Sequence, residues 1–384
     1  MTTGDAPPLV LVATIGMEYV APARMPRELK RAGFRVAMLA PEGAWATRTR
    51  HLDMLARMAP RASLATWADV LLQLQRQIDP AFVLPGDDAS LRALMAIAAQ
   101  APADVPAATA AAVRPLIVRS LGEPRHYLAS IDKAGLVALA RDAGIDVPPG
   151  MAVHTADDAV AAARDLGYPV ILRPSIGTAS RGVAICADEA ALREAFVALP
   201  APTRWTQAAQ APVLVQRVLT GARRNRANVA WQGREIAGYT REAIERWPNA
   251  LGAGSVTRFV ADPAIARVSA RLIEALGASG FNGVGFIVDE RSGRPCLIEI
   301  NRRIVPATHA ARHAGVDLAA AFRVAVRGEP WTGVTDLAED GPRPLALFPQ
   351  EWLRDRNSAH LALGPSDAPW DDPSLFAAML GARA

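Results

Sequence analysis

The first hundred residues alternate short apolar runs with longer amphipathic stretches. Apolar runs at 9–13, 35–40 and 81–84 predict strands, and stretches with helical spacing at 22–32, 47–58, 67–77 and 91–99 predict helices. Strands that are separated by helices pair in parallel, because the chain must cross back between them. The pattern therefore predicts an open α/β sheet for this part of the chain.

From about residue 119 the pattern becomes richer in strands. Helices are predicted at 132–143, 156–166, 192–199 and 263–277, and strands at 151–154, 168–173, 183–186, 213–219, 228–231, 235–239, 283–288 and 295–300. A polar, proline-bounded stretch at 201–212 predicts a hinge, and residues 246–255 predict a loop. The segment after residue 330 is rich in Pro, Asp and Trp, so we expect it to wrap over the body of the protein.

Composition narrows the class of protein. The 384 residues are enough for two or three domains, and 51% hydrophobic with 21% charged residues excludes a disordered chain. No stretch approaches the roughly 20 apolar residues of a membrane span, and residues 1–8 lack a signal-peptide pattern, so we expect a cytoplasmic protein with no membrane partner. Cys186 and Cys296 are too few for a disulfide framework or a cysteine zinc site.

The basic residues are unevenly chosen. Among 42 basic residues only Lys30 and Lys133 are lysines, a skew typical of nucleotide-composition bias in the source genome. The arginines are scattered among acidic residues and form no basic stripe, so no nucleic-acid partner is expected. The skew makes each of the two lysines informative.

A glycine-containing loop follows the predicted strand at 168–173. Ser175–Gly182 holds glycines and small hydroxyl residues, which let backbone N–H groups approach an anion closely. Hairpins of this composition are also common without any ligand. The loop is therefore either a phosphate-binding site or an ordinary turn.

The end of the last predicted strand carries polar side chains. Alternation along a strand puts Glu299, Asn301 and Arg303 on one face, with Ile298 and Ile300 facing the core. A carboxylate and an amide oxygen two positions apart suit Mg²⁺, and the arginine suits a phosphoryl group. The alternative is a solvated polar face on an edge strand.

Other candidates also have two interpretations. Asp87 and Asp88 follow a predicted parallel strand, where ligands bind, but they equally suit the cap and first turn of a helix. The arginines in 223–226 either receive a substrate anion or form a solvated hairpin face. His309 is a candidate for the wall of an acceptor pocket, and Trp370 for an anchor of the C-terminal segment.

These features occur in an order that resembles the ATP-grasp superfamily, of the carboxylate–amine ligase type. The chain is similar to the ATP-binding modules of carbamoyl-phosphate synthetase and biotin carboxylase over about residues 119–328. The motifs are Asp132-Lys133, the segments 169–177 and 180–183, 213–221, 252–256, and 283–288 followed by Glu299-Ile300-Asn301. The resemblance implies an α/β protein with α+β lobes, an ATP-grasp fold preceded by an open Rossmann-like α/β domain. The implied domains are 1–118, a small lobe with a flap at 119–206, a C-terminal lobe at 207–330, and a wrapping tail at 331–384.

The resemblance also implies roles for individual residues, with ATP and Mg²⁺ as cofactors. Lys133 and Arg173, which replaces a second lysine of the family, would contact phosphates, and Arg303 would contact the transferred phosphoryl group or the acyl phosphate. Glu299 and Asn301 match the metal ligands. The remaining nucleotide-binding positions are Ser175, Gly177, Thr178, Ser180 and Gly182 in the flap, and Gln216, Arg217 and Leu219 in the strand that holds adenine and ribose.

The sequence departs from the family pattern at three positions. Gly285 stands where a further metal ligand is usual, and Asp289 lies too far along the strand to replace it. Arg302 replaces a usual proline, and Arg223 stands where an acidic residue is common. Losing one ligand would cost a second Mg²⁺ and part of the charge neutralisation in phosphoryl transfer.

The implied reaction is an ATP-dependent ligation. A small carboxylate would be activated as an acyl phosphate and joined to an amine or another nucleophile, with release of ADP and phosphate. The expected partners are these small-molecule substrates and, in a homodimer, a second copy of the chain. Two alternatives stay open: a protein that binds nucleotide without turnover, and a kinase that stops at phosphorylation.

Overall fold

The computed structural model describes residues 6–100, 104–177, 182–199, 211–249, 252–341 and 343–381. Within these ranges the strands form three sheets. One sheet is parallel and the other two are antiparallel. The functional side chains come from the region where the three sheets approach one another.

The first sheet is the open parallel sheet that the sequence predicts. Its strands are β1 (Leu9–Ala13), β2 (Arg35–Pro41), β3 (Met54–Met58) and β4 (Phe82–Pro85), in the order β3-β2-β1-β4. Helices α1 (Val20–Arg31), α2 (Leu64–Ile78), α3 (Asp88–Gln100) and α4 (Ala107–Leu121) accompany it. The helix predicted at 47–58 is wrong, because Met54–Met58 pairs in parallel with β2. Helix α4 was not predicted.

Two helices lead from the first sheet to the second. They are α5 (Tyr127–Ile131) and α6 (Lys133–Asp142). The side chain of Asp132 accepts a hydrogen bond from the backbone N–H of Ala134 and so caps α6. This cap fixes Lys133 as the first residue of the helix.

The second sheet is small and antiparallel. Its elements are β5 (Gly150–Val153), α7 (Ala156–Leu166), β6 (Val170–Pro174), β7 (Ala184–Cys186), α8 (Glu189–Val197) and β8 (Val213–Arg217). The strand order is β5-β8-β6-β7, and β6 and β7 form the predicted hairpin. Strand β8 was expected in the C-terminal lobe, but it pairs with β5 and β6 of this sheet. The predicted hinge at 201–212 lies mostly outside the described residues.

The third sheet is the largest. Its elements are β9 (Gly221–Trp231), β10 (Arg234–Trp247), β11 (Ala253–Val260), α9 (Pro263–Leu276), β12 (Gly280–Asp289), β13 (Pro295–Asn301), α10 (Leu318–Val326) and β14 (Leu345–Ala346). The strand order is β13-β12-β9-β10-β11-β14. The loop predicted at 246–255 is wrong, because β10 continues to Trp247 and pairs there with Ala253 of β11.

The two faces of the third sheet pack against different neighbours. Ala227, Val229 and Tyr239 share one core with the first sheet and its helices. Ala230 and Phe286 belong to a second core, which is completed by α9. Since alternate residues of a strand point to opposite faces, each strand of this sheet presents two separate sets of side chains.

The C-terminal segment contains α11 (Gln350–Arg354), α12 (Ala359–Leu363) and α13 (Pro373–Leu380). Buried Asp367 attaches it to the body, with its carboxylate 2.5 Å from His309 Nε2 and 3.8 Å from an Arg24 nitrogen. Burial and Arg24 lower the pKa of His309 to about 4, so this histidine is neutral and structural rather than part of a pocket wall. Trp370 is 70% exposed and is not the predicted anchor. No helix within the described ranges is long and apolar enough to cross a membrane.

Candidate active site

A pocket open to solvent lies where the ends of α3, α5, α6 and β13 meet. Its charged and polar lining is Asp88, Arg92, Ser130, Asp132, Lys133, Glu299 and Asn301, and its remaining lining is Leu91, Ala129, Ile131, Leu136, Gly177 and Ile300. Three residues that were singled out from the sequence, Lys133, Glu299 and Asn301, therefore face one cavity.

Lys133 is held by the loop that follows β6. Its backbone N–H donates to the carbonyl of Ser175 at 2.9 Å, and its ammonium donates to the carbonyl of Gly177 at 3.2 Å. Within the described ranges it has no carboxylate partner. Burial, followed by the nearby charge of Arg173, lowers the pKa of Lys133 to about 8. An anion entering the pocket would relieve this cost.

Ser175 stabilises the start of α6, next to Lys133. It is fully buried, its hydroxyl donates to the carboxylate of Asp132, and it accepts from the backbone N–H of Ala134 at 2.9 Å. The structure thus gives Ser175 a place at the start of α6 rather than in the open loop. Thr178 and Ser180 lie outside the described residues, and Gly182 has a left-handed backbone with φ of 73°.

Arg173 lies behind the pocket at the end of β6. It is buried, and one guanidinium nitrogen donates to the carbonyl of Ile298 at 2.8 Å. Its Nε is buried without a hydrogen-bond partner among the residues described. Burial, together with the charge of Arg223, lowers the pKa of Arg173. The substitution of arginine for lysine thus keeps a positive charge next to Lys133 and Glu299.

A β-bulge shapes the strand that carries Glu299. Gly285 of β12 pairs with Glu299, but the next residue, Phe286, pairs with Leu297, so Ile298 is the extra residue. Leu297 and Ile300 are consequently the core residues, and the prediction that Ile298 faces the core is wrong: it is half-buried. The bulge interrupts the alternation of inward-facing and outward-facing residues along β13.

Glu299 starts a row of residues that crosses four strands. Strand pairing places Glu299, Gly285, Asn225 and Arg241 next to one another in that order. A Cβ on residue 285 would stand 3.1 Å from Glu299 Cγ and 3.5 Å from Asn225 Oδ1. The space left by the missing side chain is therefore bordered by a carboxylate on one side and an amide oxygen on the other. Sequence reasoning missed Asn225, because only strand pairing brings it here.

Arg303 is tied to the first sheet. Its guanidinium makes a bidentate ion pair with Asp88, at 2.8 and 2.9 Å, and lies 5.3 Å from the centroid of the Tyr19 ring. The Nη2 atom that pairs with Asp88 also lies 3.5 Å from Asn301 Oδ1. The carboxylate of Asp88 raises the pKa of Arg303 against the opposing effect of burial. A phosphoryl group would have to share this arginine with Asp88.

The two aspartates after β4 have different roles. Asp87 caps α3 by accepting from the backbone N–H of Ser90 at 2.7 Å, and its other oxygen accepts from two backbone N–H groups of the loop after β1, also at 2.7 Å. This agrees with the structural interpretation of Asp87. Asp88 instead holds Arg303. Arg92, one turn further along α3, also lines the pocket, and burial lowers its pKa. The sequence signal for Arg92 was its position four residues after Asp88.

The strand predicted to hold adenine and ribose is β8, an inner strand of the small sheet. Gln216 is buried, with its amide nitrogen 3.5 Å from the carbonyl of Pro148 and its amide oxygen lacking a partner among the described residues. Arg217 is exposed, and Leu219 is half-buried beyond the end of β8. None of the three lines the pocket described above.

The structure explains the departure at Arg302 and the position of Asp289. Arg302 is buried, stacks 5.7 Å from the Tyr127 ring centroid, and donates to Ser130 Oγ at 3.1 Å, so it braces α5 and points away from Arg303's ion pair. Asp289 binds the Ser292 hydroxyl at 2.8 Å in the hairpin turn and is not available to the pocket.

The oxygen ligands that remain suit one hard cation. Glu299 has no ion pair within the described ranges; the side-chain amide of Asn301 donates to its Oε1 at 3.4 Å, and the side-chain oxygen of Asn225 borders the space beside Gly285. The same ranges contain no group of three or more His, Cys, Asp or Glu side chains that would hold a metal. The carboxylate of Glu299 and the amide oxygen of Asn225 are the kinds of ligand that suit Mg²⁺ when it also binds phosphate oxygens.

Two family models match overlapping parts of the chain. Residues 132–235 match the model of the carbamoyl-phosphate synthase L chain, ATP-binding domain, and residues 210–340 match ATP-grasp in the biosynthetic pathway with Ter operon. A segment of 106 residues is 34% identical to the carbamoyl phosphate synthase large chain of Gemmatimonas aurantiaca, which is 27% of this chain and 9% of that relative. The match thus spans only a small part of the relative's length.

Solved structures show the same fold. N5-carboxyaminoimidazole synthase from Aspergillus clavatus superposes with a TM-score of 0.64 at 14% identity, over 88% of this chain and 81% of the other. The biotin carboxylase domain of Hydrogenobacter thermophilus 2-oxoglutarate carboxylase gives 0.62 at 18% identity, over 85% and 71%. The fold is an ATP-grasp fold preceded by an open Rossmann-like domain. Residues 132–340 are thus similar to known ATP-grasp domains, and the likeness to the solved structures is one of fold.

Proposed function

We propose that this protein is an ATP-dependent ligase that activates a small carboxylate as an acyl phosphate and joins it to an amine or another nucleophile. The observation that carries the proposal is the pocket in which Lys133, without a carboxylate partner in the described ranges, faces Glu299, which also lacks an ion pair there. Two similar folds are named as complexes of ADP, one of them as its magnesium salt. A nucleoside triphosphate with a cation supplies both missing charges.

The chain's own residues would position the phosphates. Lys133 and Arg173 would donate to phosphate oxygens, and Gly177 would offer backbone at the same edge of the pocket. Mg²⁺ held by Glu299 and Asn301, with Asn225 as a third oxygen ligand, would neutralise charge on the β- and γ-phosphates. The flap residues and the strand Gln216, Arg217 and Leu219 keep their proposed roles at the nucleotide.

The reaction would proceed in two displacements. A carboxylate oxygen of the first substrate bonds to the γ-phosphorus while the bond to the β–γ bridging oxygen breaks, and ADP leaves. The nitrogen of the second substrate then bonds to the acyl carbon, phosphate leaves with the electrons of the C–O bond, and the nitrogen loses a proton. Arg303, shared with Asp88, would contact the acyl phosphate. We also propose that the protein forms a homodimer.

The test is ADP release by the full-length protein with pools of small carboxylates and amines. We expect release that requires one member of each pool. Glu299→Gln should abolish turnover, at least about 100-fold, because it removes the only carboxylate of the proposed metal site. Glu339→Gln, an exposed carboxyl elsewhere, is the matched control and should leave turnover unchanged. Near-normal turnover of Glu299→Gln would refute the metal role.

A second candidate is nucleotide binding without turnover. It is favoured by Gly285, which supplies no metal ligand, and by the ion pair that occupies Arg303. Calorimetry with ATP separates the two proposals. Tight binding that is unaffected by Mg²⁺, with no ADP formed from any pool, would favour this candidate.

A further inference from the structure

Three arginines next to the pocket have no ligand or substrate assigned to them in the site and the reaction described above. Arg223 lies on β9, and Arg241 and Arg246 lie on the neighbouring strand β10. All three are half-buried, and among the described residues none of them has a carboxylate partner. Arg246 donates to the carbonyl of Gly252 at 3.2 Å. We call these three residues the arginine cluster.

Without a bound anion, the arginine cluster lowers the stability of the folded protein. Nη1 of Arg241 is buried and has no hydrogen-bond partner in the described ranges. Burial lowers the pKa of Arg241, and burial followed by the charges of Arg223 and Arg241 lowers the pKa of Arg246. An anion that binds between half-buried cations would offset their mutual repulsion and the cost of their partial burial.

The cluster is continuous with the proposed catalytic pocket. Arg241 ends the row that begins at Glu299, and Arg223 lies close enough to Arg173 to lower its pKa. The row spans three strand spacings, roughly 14 Å between backbones. A substrate that reaches from Glu299 to Arg241 therefore carries an anionic group several bonds away from its reacting carboxylate.

We propose that Arg223, Arg241 and Arg246 form a second anion site, which receives a doubly charged oxyanion group of the substrate, either a phosphate monoester or a pair of carboxylates. Guanidinium groups match both, because each presents parallel N–H donors to two oxygens. The proposal rests on the proposed function for the position of the reacting carboxylate. The anion site itself is tested without nucleotide.

The test titrates the full-length protein by calorimetry with inorganic phosphate, with malonate, and with acetate as the singly charged control. We expect phosphate or malonate to bind more tightly than acetate, and Arg241→Gln and Arg246→Gln each to weaken that binding about tenfold or more. Arg76→Gln, an exposed arginine of α2, is the matched control and should change nothing. A preference for phosphate identifies a phosphate monoester, and a preference for malonate identifies a dicarboxylate end.

Separate measurements keep the outcomes distinct. The melting temperature of Arg241→Gln should not fall, because the variant removes an unpaired buried cation; a large fall without loss of anion binding would mean a structural role and overturn the proposal. Phosphate binding that depends on Lys133 but not on the cluster would also overturn it, as would equal binding of all three anions. MgATP binding is titrated independently, so that its failure counts against the proposed function and not against the anion site.

Discussion

The two faces of strand β9 carry arginines in opposite electrostatic settings. On the face toward α9, Arg224 pairs with Asp262 at 2.6 Å and Arg226 pairs with Glu235 at 2.6 Å. On the face toward the pocket, Arg223 has no carboxylate partner within the described ranges, and neither has Arg241 opposite Asn225. Both faces belong to one strand in one arginine-rich chain.

The difference separates stability from function. A buried arginine that is paired on all sides contributes to the fold and has little left to offer a ligand. A half-buried arginine without a partner costs stability and is ready to bind an anion. Net charge does not distinguish the two groups, but strand alternation and pairing do.

The largest effect on stability is expected when a paired arginine on the α9 face is replaced. Arg226→Met leaves Glu235 and Asp336 as uncompensated carboxylates, with Glu235 buried, and should lower the free energy of unfolding by about 3–5 kcal/mol. Arg223→Met is the matched control, because Arg223 lies on the pocket face of the same strand, two positions before Asn225. It should lower the free energy of unfolding by less than about 0.5 kcal/mol. Urea unfolding measures both. Equal losses would contradict the division between the faces.

The next effect concerns the pocket lysine. Lys133→Met should weaken ATP binding about 10–100-fold, because a charge-assisted contact to phosphate is lost, without lowering the melting temperature. The chain offers an ideal control in its other lysine: Lys30 forms an exposed ion pair with Asp53, and Lys30→Met should leave ATP affinity unchanged. If both variants bind ATP like the wild type, Lys133 is not a phosphate ligand.

A smaller effect follows from the titration of Lys133. Its pKa is lowered to about 8, so the free protein loses this charge as the pH rises from 7 to 9.5, and ATP affinity should fall over that range. Because the pKa in the folded protein is below the unfolded value, the cost of the buried charge is present below pH 8 and is relieved as the pH rises toward about 10.5. Relative to Lys133→Met, the wild type should therefore gain stability between these values. Parallel pH profiles of stability for the two proteins would count against this assignment.

Local patterns in the sequence predicted much of the fold. The apolar run of β1 and the amphipathic helix α1 were recognised because their periodicity is local. Residues 47–58 were predicted as a helix and contain strand β3 instead, and residues 246–255 were predicted as a loop and contain strand ends. In both cases a partner strand distant in the sequence decides the structure, and periodicity does not report on it.

The candidate site was predictable to a similar degree. Lys133 stood out as one of two lysines, and Glu299 and Asn301 by their spacing, and all three line one pocket. Asn225 and Arg241 could not be found in this way, because they join Glu299 only through the pairing of β9 with β10 and β12. The bulge at Ile298 was equally invisible, since it depends on register.

The most direct measurement is a crystal structure of the protein with a non-hydrolysable ATP analogue and Mg²⁺. The account predicts triphosphate oxygens within hydrogen-bonding distance of Lys133 Nζ and the Arg173 guanidinium, and a single metal ion on Glu299 beside Gly285. A triphosphate bound away from this pocket, with Lys133 and Glu299 contacting neither phosphate nor metal, would contradict it.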